Sequence, residues 1–248
     1  MPQPTTTTAL DDRSVAAPPT PSDRDHRRLG DLSPTMAGAG ACTFAAVVVV
    51  QNVLRGAFAP ANDAPVADVV TSYASHRALE VLLSVTFVVS GIGLAVFLGG
   101  VGRLLLAGPR RGWAISGLVG AGGIIALFGT TLAADSALTN VASGAHPEPA
   151  AVSALWALHN GVFTVLLLMI GIALVGLGRA GTSTGITPSP FEWLAPVGGG
   201  LLAVGAAGGP LVAAGEAMPL FGLAGIGFVV WLAFLATTGV RLLRMPGR

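Results

Sequence analysis

Six long apolar stretches alternate with short polar segments along this chain. The stretches cover residues 36–54, 78–106, 113–134, 152–177, 194–214 and 220–240, and each contains 19–29 residues. A helix of about 20 apolar residues is long enough to cross a hydrocarbon layer of about 30 Å. Membrane β-strands would be about 10 residues long with strict alternation, which these stretches lack. The pattern predicts an all-α fold, a polytopic transmembrane bundle of six helices.

Composition supports lipid as the main environment of the chain. Hydrophobic residues make up 52% of it, charged residues only 10%, and the mean hydropathy is +0.75, whereas soluble domains carry about 25% charged residues. The formal net charge is +1, so no basic field favours a nucleic-acid partner. A single cysteine, Cys42, excludes an intrachain disulfide. The absence of lysine beside abundant Ala, Gly and Arg is typical of a high-GC bacterial genome.

The two ends of the chain differ from its middle. Residues 1–35 are rich in Thr, Pro and charged residues and contain few large apolar ones, so we expect a disordered cytoplasmic tail. The six-helix transmembrane domain then covers residues 36–245, and residues 246–248 form a cytoplasmic end. An alternative is a cleavable export signal that ends at Ala57-Phe58-Ala59; cleavage there would leave five spans.

Arginine positions predict the orientation. With six crossings, eleven of the thirteen arginines fall on one side, and only Arg55 and Arg77 fall on the other. Short cytoplasmic segments carry the excess of Arg and Lys in membrane proteins. We therefore expect both termini in the cytoplasm of a multi-pass protein of the bacterial inner (plasma) membrane. Trp113 and Trp193 would then lie at the inner boundary, where amphipathic rings are favoured.

Three further features bear on the outer loop, the helix contacts and the fifth stretch. Residues 66–74 of the outer loop have the pattern of a short helix on the membrane surface. The chain has 35 glycines, and small residues let helices approach closely in lipid. Pro210 predicts a kink in the fifth stretch, and broken helices expose backbone groups to substrates in transporters.

Most polar residues of the apolar region cluster toward the outer leaflet. Ionisable groups near lipid are costly unless they are paired or hydrated, so we expect several of them to meet inside the bundle. His76 and Glu80 are four residues apart and would share a helix face. The candidate cluster consists of His76, Arg77, Glu80, Asp135, His159, Asn160 and Glu216, with Gln51, Asn52 and Arg55 at the end of the first helix.

Each candidate also has a structural interpretation. Arg77 and Glu80 fit an interface anchor and an ion pair, whereas Asp135 and Glu216 fit solvated helix ends. His159 and Asn160 fit either a hydrogen-bonded pair that ties helices together or a proton relay, ligand contact or metal contact.

Catalytic and cofactor motifs are absent from this pattern. His76 and His159 would be the two ligands of a haem held between helices, but no other feature supports one. The sequence also lacks His-Glu-x-x-His, a phosphate-binding loop and a cysteine pair. We predict no cofactor, no metal and no catalytic residues, and we exclude an ordinary soluble type of enzyme.

One motif carries a resemblance to a known group. The chain has a polar leader, one helix, an outer loop that ends in Tyr73-Ala74-Ser75-His76-Arg77, and five further Gly- and Ala-rich helices. It resembles uncharacterised six-span integral membrane proteins of actinobacteria over about residues 36–245. The resemblance implies the same topology and no particular activity.

Two functions remain open on this basis. The first is a permease-like or small-ligand-binding protein with an outward-facing polar cavity lined by Arg77, Glu80, His159 and Asn160. The second is a non-catalytic membrane partner or sensor subunit, which packs against another membrane protein or a second copy of itself. An enzyme that acts on lipid or quinone in the outer leaflet is a more distant third.

Overall fold

The computed structural model describes residues 32–209, 211 and 218–245, and all regular structure in these ranges is helical. Five helices in the described ranges are long and apolar enough to cross a membrane: α1, α3, α4, α5 and α7. Lengths and compositions of this kind are those of a multi-pass helical membrane protein. The helices are α1 (Pro34–Phe58), α2 (Val66–Ser75), α3 (Arg77–Ala107), α4 (Arg111–Ala142), α5 (Pro149–Thr184), α6 (Phe191–Ala207) and α7 (Met218–Leu243).

Every predicted apolar stretch lies largely within one helix, but most helices are longer than the stretches. The short helix predicted over residues 66–74 is confirmed as α2. α5 begins with Pro149 at its first turn and ends at Thr184, followed by the capping residue Gly185, whose φ of 76° favours glycine. α6 ends at Ala207, before the predicted end at residue 214. Pro196 lies inside α6. It has no backbone N–H and therefore removes one helical hydrogen bond, which was not predicted from the sequence.

Some predictions fall on parts of the chain that the structure does not describe. Residues 1–31 of the predicted disordered tail lie outside the described residues, and so does the predicted cytoplasmic end at 246–248. The kink at Pro210 and the candidate Glu216 also lie outside them. At the start of the described region, Ser33 caps α1 by accepting a hydrogen bond from the Met36 backbone N–H at 3.2 Å.

The six longer helices form a closed ring in chain order. α1 packs on α3, α3 on α4, α4 on α5, α5 on α6, α6 on α7, and α7 packs back on α1. α2 packs against α4 and α5, with Val69 and Tyr73 buried against Leu138 and Trp156. α2 therefore covers the end of the bundle at which α1 finishes and α5 begins.

Glycines set the closest helix contacts of the ring. A Cβ on Gly120 of α4 would lie 2.6 Å from the Ala173 backbone nitrogen of α5. A Cβ on Gly38 of α1 would lie 2.7 Å from the Gly239 carbonyl oxygen of α7. Since neither position has room for a larger residue, glycine is required for these helices to touch.

An ion-pair cluster joins the helices at the other end of the bundle. Nη1 of Arg110, which precedes α4, and Nη1 of Arg179 on α5 both lie 2.6 Å from Oε1 of Glu192. The Thr182 hydroxyl donates to Oε2 of the same carboxylate at 2.6 Å. Glu192 precedes the apolar stretch that begins at residue 194, and the Thr182 hydroxyl with the two guanidinium groups lowers its pKa to about 2.

Candidate functional site

Asp135 is the centre of a buried polar network near the covered end of the bundle. Its side chain is 4% exposed, and its Oδ2 accepts a hydrogen bond from Nη2 of Arg55 at 2.5 Å. Its Oδ1 lies 2.7 Å from Nδ1 of His159 and 3.4 Å from the Tyr73 hydroxyl. α1, α2, α4 and α5 each contribute one side chain, so the network joins four helices.

This arrangement corrects the interpretation of Asp135 as a solvated helix end. α4 continues for almost two turns beyond it, to Ala142. A carboxylate can be buried here because the Arg55 guanidinium compensates its charge. Burial raises the pKa of the Tyr73 hydroxyl well above its usual range, so Tyr73 stays protonated at neutral pH and donates to Asp135.

His159 lies between Arg55 and Asp135. Nη1 of Arg55 lies 3.3 Å from Nε2 of His159, and since a guanidinium only donates, Nε2 is the acceptor in this contact. Nδ1 of His159 faces Oδ1 of Asp135 at 2.7 Å, without hydrogen-bond alignment. Trp156 stacks on the imidazole, with ring centroids 5.1 Å apart and planes within 8°.

A cavity of about 160 Å³ adjoins this network. Its polar end is formed by Gln51, Asn52, Arg55, Thr131 and His159. The remaining wall is apolar and includes six of the ten phenylalanines of the chain. The apolar lining consists of Phe44, Val48, Phe87, Phe128, Phe163, Leu166, Leu167, Ile170, Phe221, Ala224, Gly225 and Phe228.

The cavity is blind on the side away from the polar network. Beyond Phe44 the interior is filled by fully buried side chains, among them Leu94, Phe97, Leu174 and Phe234. The cavity is therefore a pocket with a polar end, and closely packed side chains lie beyond its apolar end.

The structure separates the residues of the predicted polar cluster. His159 lines the cavity, and Asp135 holds His159 and Arg55. Glu80 is buried and close enough to interact electrostatically with Arg55 and Asp135, but it does not line the cavity. Arg77 is exposed.

The cavity predicted from Arg77, Glu80, His159 and Asn160 therefore needs correction, since of these four only His159 lines it. Asn160 points to a different side of α5, where its Nδ2 donates to the Asn62 carbonyl at 3.0 Å. His159 and Asn160 are adjacent on a helix and so point about 100° apart, which explains why they have different surroundings. Neither Arg77 nor Glu80, which were expected to be an interface anchor and an ion pair, is among the ion pairs of the described residues.

His76 is engaged locally between α2 and α3. Its Nδ1 lies 3.0 Å from the Ser72 carbonyl oxygen, and its ring packs on Phe58 at 5.7 Å. In the described ranges no three His, Cys, Asp or Glu side chains are grouped as a metal site would require.

Several members of the site were not predicted from the sequence. Tyr73 was noted only as part of a motif, although it is the single tyrosine of the chain. Trp156 is buried against His159 and the Asn62 carbonyl, to which its Nε1 donates at 3.2 Å. Arg55 was named as a candidate without a partner. The one available signal was that Arg55 and Asp135 have opposite charges near the same membrane face.

Comparison with known proteins gives no assignment for this site. No family model matches the chain, and no match was found among curated proteins or solved structures.

Proposed function

We propose that this chain is a six-span protein of the bacterial plasma membrane that binds a small ligand in the cavity beside Arg55 and His159. Both termini are cytoplasmic in this topology, which is also that of the actinobacterial group it resembles. α6, with 17 residues, provides about 26 Å of helix and is the sixth span, near the lower limit for crossing. An uncleaved chain is part of this proposal, because α1 forms one side of the cavity.

The depth of the site follows from this orientation. Trp113 and Trp193 are exposed at the end of the bundle that carries the Arg110, Arg179 and Glu192 cluster, where the inner membrane boundary lies. Asp135 is about 33 Å of helical rise from Trp113, close to the thickness of the hydrocarbon layer. The polar end of the cavity therefore lies at the outer leaflet.

One observation carries the ligand-binding proposal: an apolar pocket ends at a set of fixed polar groups. Most ligand sites have this character, with apolar walls and a few convergent polar groups that orient the ligand. The three-way contact of Arg55, Asp135 and His159 holds those groups in place. The blind end favours binding over permeation.

A thermal-shift panel on the purified full chain in detergent tests this proposal. The compounds are cyclohexanone, phenol, indole, octanoate and octylamine, and a ligand at about 100 times its Kd adds about 2.7 kcal/mol to the unfolding free energy. Val48→Phe fills the cavity, whereas Val53→Phe on the same helix is a matched control because Val53 is exposed and does not line it. We expect at least one compound to stabilise the wild type and Val53→Phe but not Val48→Phe. No stabilisation by any compound, or an undiminished shift in Val48→Phe, would contradict the proposal.

A shallow apolar groove supports a second candidate, a partner or sensor subunit. The groove has about 310 Å³ between α1 and α3 and is lined by Gly40, Thr43, Ile92 and Gly93, among others. Gly40 and Gly93 already pack α1 against α3, so the surface open to another helix is the exposed apolar rim formed by Met36 and Ile92. Cross-linking in native membranes of a cysteine placed at Ile92, which is exposed, tests it. A monomer with no cross-linked partner would exclude this candidate.

A further inference from the structure

Two buried hydrogen-bond donors of α1, at the polar end of the cavity, lack a partner among the described residues. They are Nε2 of Gln51 and Nε of Arg55, which are one helical turn apart on α1. Nδ1 of His159 also lacks a hydrogen bond, but it faces Asp135 at 2.7 Å. Gln51 is only 4% exposed and lines the cavity. An unpaired buried donor costs free energy that a hydrogen-bond acceptor recovers. An acceptor atom on a bound ligand would therefore satisfy both donors.

The walls of the cavity favour a flat ring. The Phe44 and Phe128 rings are parallel within 3° at a centroid distance of 6.0 Å, and Phe87 meets Phe128 edge-on at 5.2 Å. Aromatic walls of this kind stack well on a conjugated ring. The cavity volume of about 160 Å³ is close to the roughly 150 Å³ of an engineered cavity that admits benzene. The space therefore suits one six-membered ring.

The charges around the polar end favour an uncharged acceptor. The Arg55 guanidinium is already balanced by Asp135 at 2.5 Å. Glu80 is a second carboxyl group close enough to interact with Arg55. An anionic head would add a further negative charge near these two acidic groups, whereas a ketone oxygen accepts from Gln51 and Arg55 without adding charge.

The exposed lining residues place the entrance at the side of the bundle. Of the described lining residues, only Asn52 on α1 and Gly225 on α7 are exposed. α1 and α7 touch closely at Gly38 and Gly239, near the other end of the bundle. A Cβ on Gly225 would meet nothing within 4 Å. The exposed lining residues therefore place the opening between α1 and α7, on a side of the bundle that faces lipid in the proposed topology.

We propose that the ligand is an uncharged ketone of the aromatic or quinone type with an alkyl tail, which enters from the lipid between α1 and α7. Its ring lies among the phenylalanines, its carbonyl oxygen accepts hydrogen bonds from Gln51 and Arg55, and its tail remains in the membrane. This inference rests on the proposed ligand-binding function and adds the chemical class and the route.

Three probes that differ only in the head group test the class. They are 4′-decylacetophenone, decylbenzene and 4-decylbenzoate, which carry a neutral carbonyl, no acceptor and a carboxylate on the same decylphenyl frame. Affinities are obtained from ligand-induced stabilisation of the full chain in detergent, followed by circular dichroism. We expect the ketone to bind at least tenfold more tightly than either of the others. Equal binding of decylbenzene would show that no acceptor is recognised, and tighter binding of the benzoate would show an anion site; either result overturns the inference.

Gln51→Met separates ligand recognition from a structural role. Methionine has a similar volume and no donor, so the variant removes an unpaired buried amide. We expect its unliganded unfolding temperature to be equal to or above that of the wild type, and its preference for the ketone over decylbenzene to fall to about twofold or less. A retained tenfold preference would overturn the role of Gln51.

The route is tested by a matched pair on α7. Gly225→Phe places a ring at the opening, whereas Gly222→Phe places the same ring one turn away on an exposed position that does not line the cavity. We expect Gly225→Phe to weaken ketone binding at least fivefold and Gly222→Phe to leave it unchanged. Equal effects of the two variants would overturn the lateral entrance.

The experiments distinguish a wrong ligand class from a wrong binding function. If none of the decyl probes binds but the small-molecule panel still stabilises the wild type and not Val48→Phe, the ketone class is wrong and the binding function stands. If the panel also has no effect, the binding function itself fails.

Discussion

Removing the charge of Asp135 should lower the stability of the protein, because Asp135 is the counter-ion of Arg55. In Asp135→Asn the buried Arg55 guanidinium loses its counter-ion, and breaking one partner of a buried ion pair costs about 3–5 kcal/mol; Arg55 is 19% exposed on its side chain, so we expect about 3 kcal/mol. The measurement is reversible unfolding in mixed detergent micelles.

The control for this prediction is Asp63→Asn, the same change at an exposed loop position. Exposed substitutions of this kind usually change stability by less than about 0.5 kcal/mol. An effect of similar size in both variants would mean that the Arg55–Asp135 pair contributes nothing specific.

Glu192 gives a pH-dependent prediction at the opposite end of the bundle. Its pKa in the folded protein is about 2, below its ordinary value of 4.5. A depressed carboxyl pKa stabilises the fold above pH 4.5, and this contribution is lost as the pH falls from 4.5 toward 2. Glu192→Gln should therefore lower the unfolding temperature at pH 6, and the difference from the wild type should shrink toward pH 2. Glu148→Gln, at an exposed position, should show no such convergence.

At this scale the sequence predicted which residue types matter but not how they pair. The opposite charges of Arg55 and Asp135 were visible, yet their contact depends on the rotation of α1 and α4 about their axes. Hydropathy does not report that rotation, because these helices are apolar on nearly all sides. For the same reason His159 and Asn160 were grouped together although they face different surroundings.

Among the elements, the contact of α4 with α5 depends on Gly120. Gly120→Ala places a methyl group 2.6 Å from the Ala173 backbone nitrogen, where a packed helix cannot yield easily, and we expect a loss of about 1–3 kcal/mol. Gly122→Ala, in the same helix with open space around its Cβ, should be neutral or stabilising by up to about 1 kcal/mol because alanine is the better helix former. Unfolding of both variants in mixed micelles measures the difference. Equal effects would show that Gly120 is not a contact residue.

The helices themselves were largely predictable from the sequence. Apolar length places all six long helices, and the short pattern over residues 66–74 gave α2. The extra turns of α4 and α5 were missed since polar residues there are stabilised by contacts between helices, such as that of Asp135 with Arg55. α6, in contrast, ends earlier than its predicted stretch, at Ala207, and contains Pro196.

For the whole molecule, the arginine distribution predicts the topology, and reporter fusions test it. A cytoplasmic reporter fused after Arg248 should be active, and one inserted between Asn62 and Asp63, in the link between α1 and α2, should be inactive; a reporter that works only outside the cytoplasm should give the opposite result. The reverse pattern would mean that the protein has the opposite orientation in the membrane, with the cavity at the inner leaflet.

Closure of the ring by α1 and α7 has a consequence for biogenesis. The two helices that meet at Gly38 and Gly239 lie at opposite ends of the described chain. The ribosome therefore completes α7 long after α1 has reached the insertion machinery. Until α7 arrives, Arg55, Asp135 and His159 border a gap where Phe221, Ala224 and Phe228 will later stand. Nascent chains stalled before α7 should therefore be the substrates on which membrane proteases and insertases act.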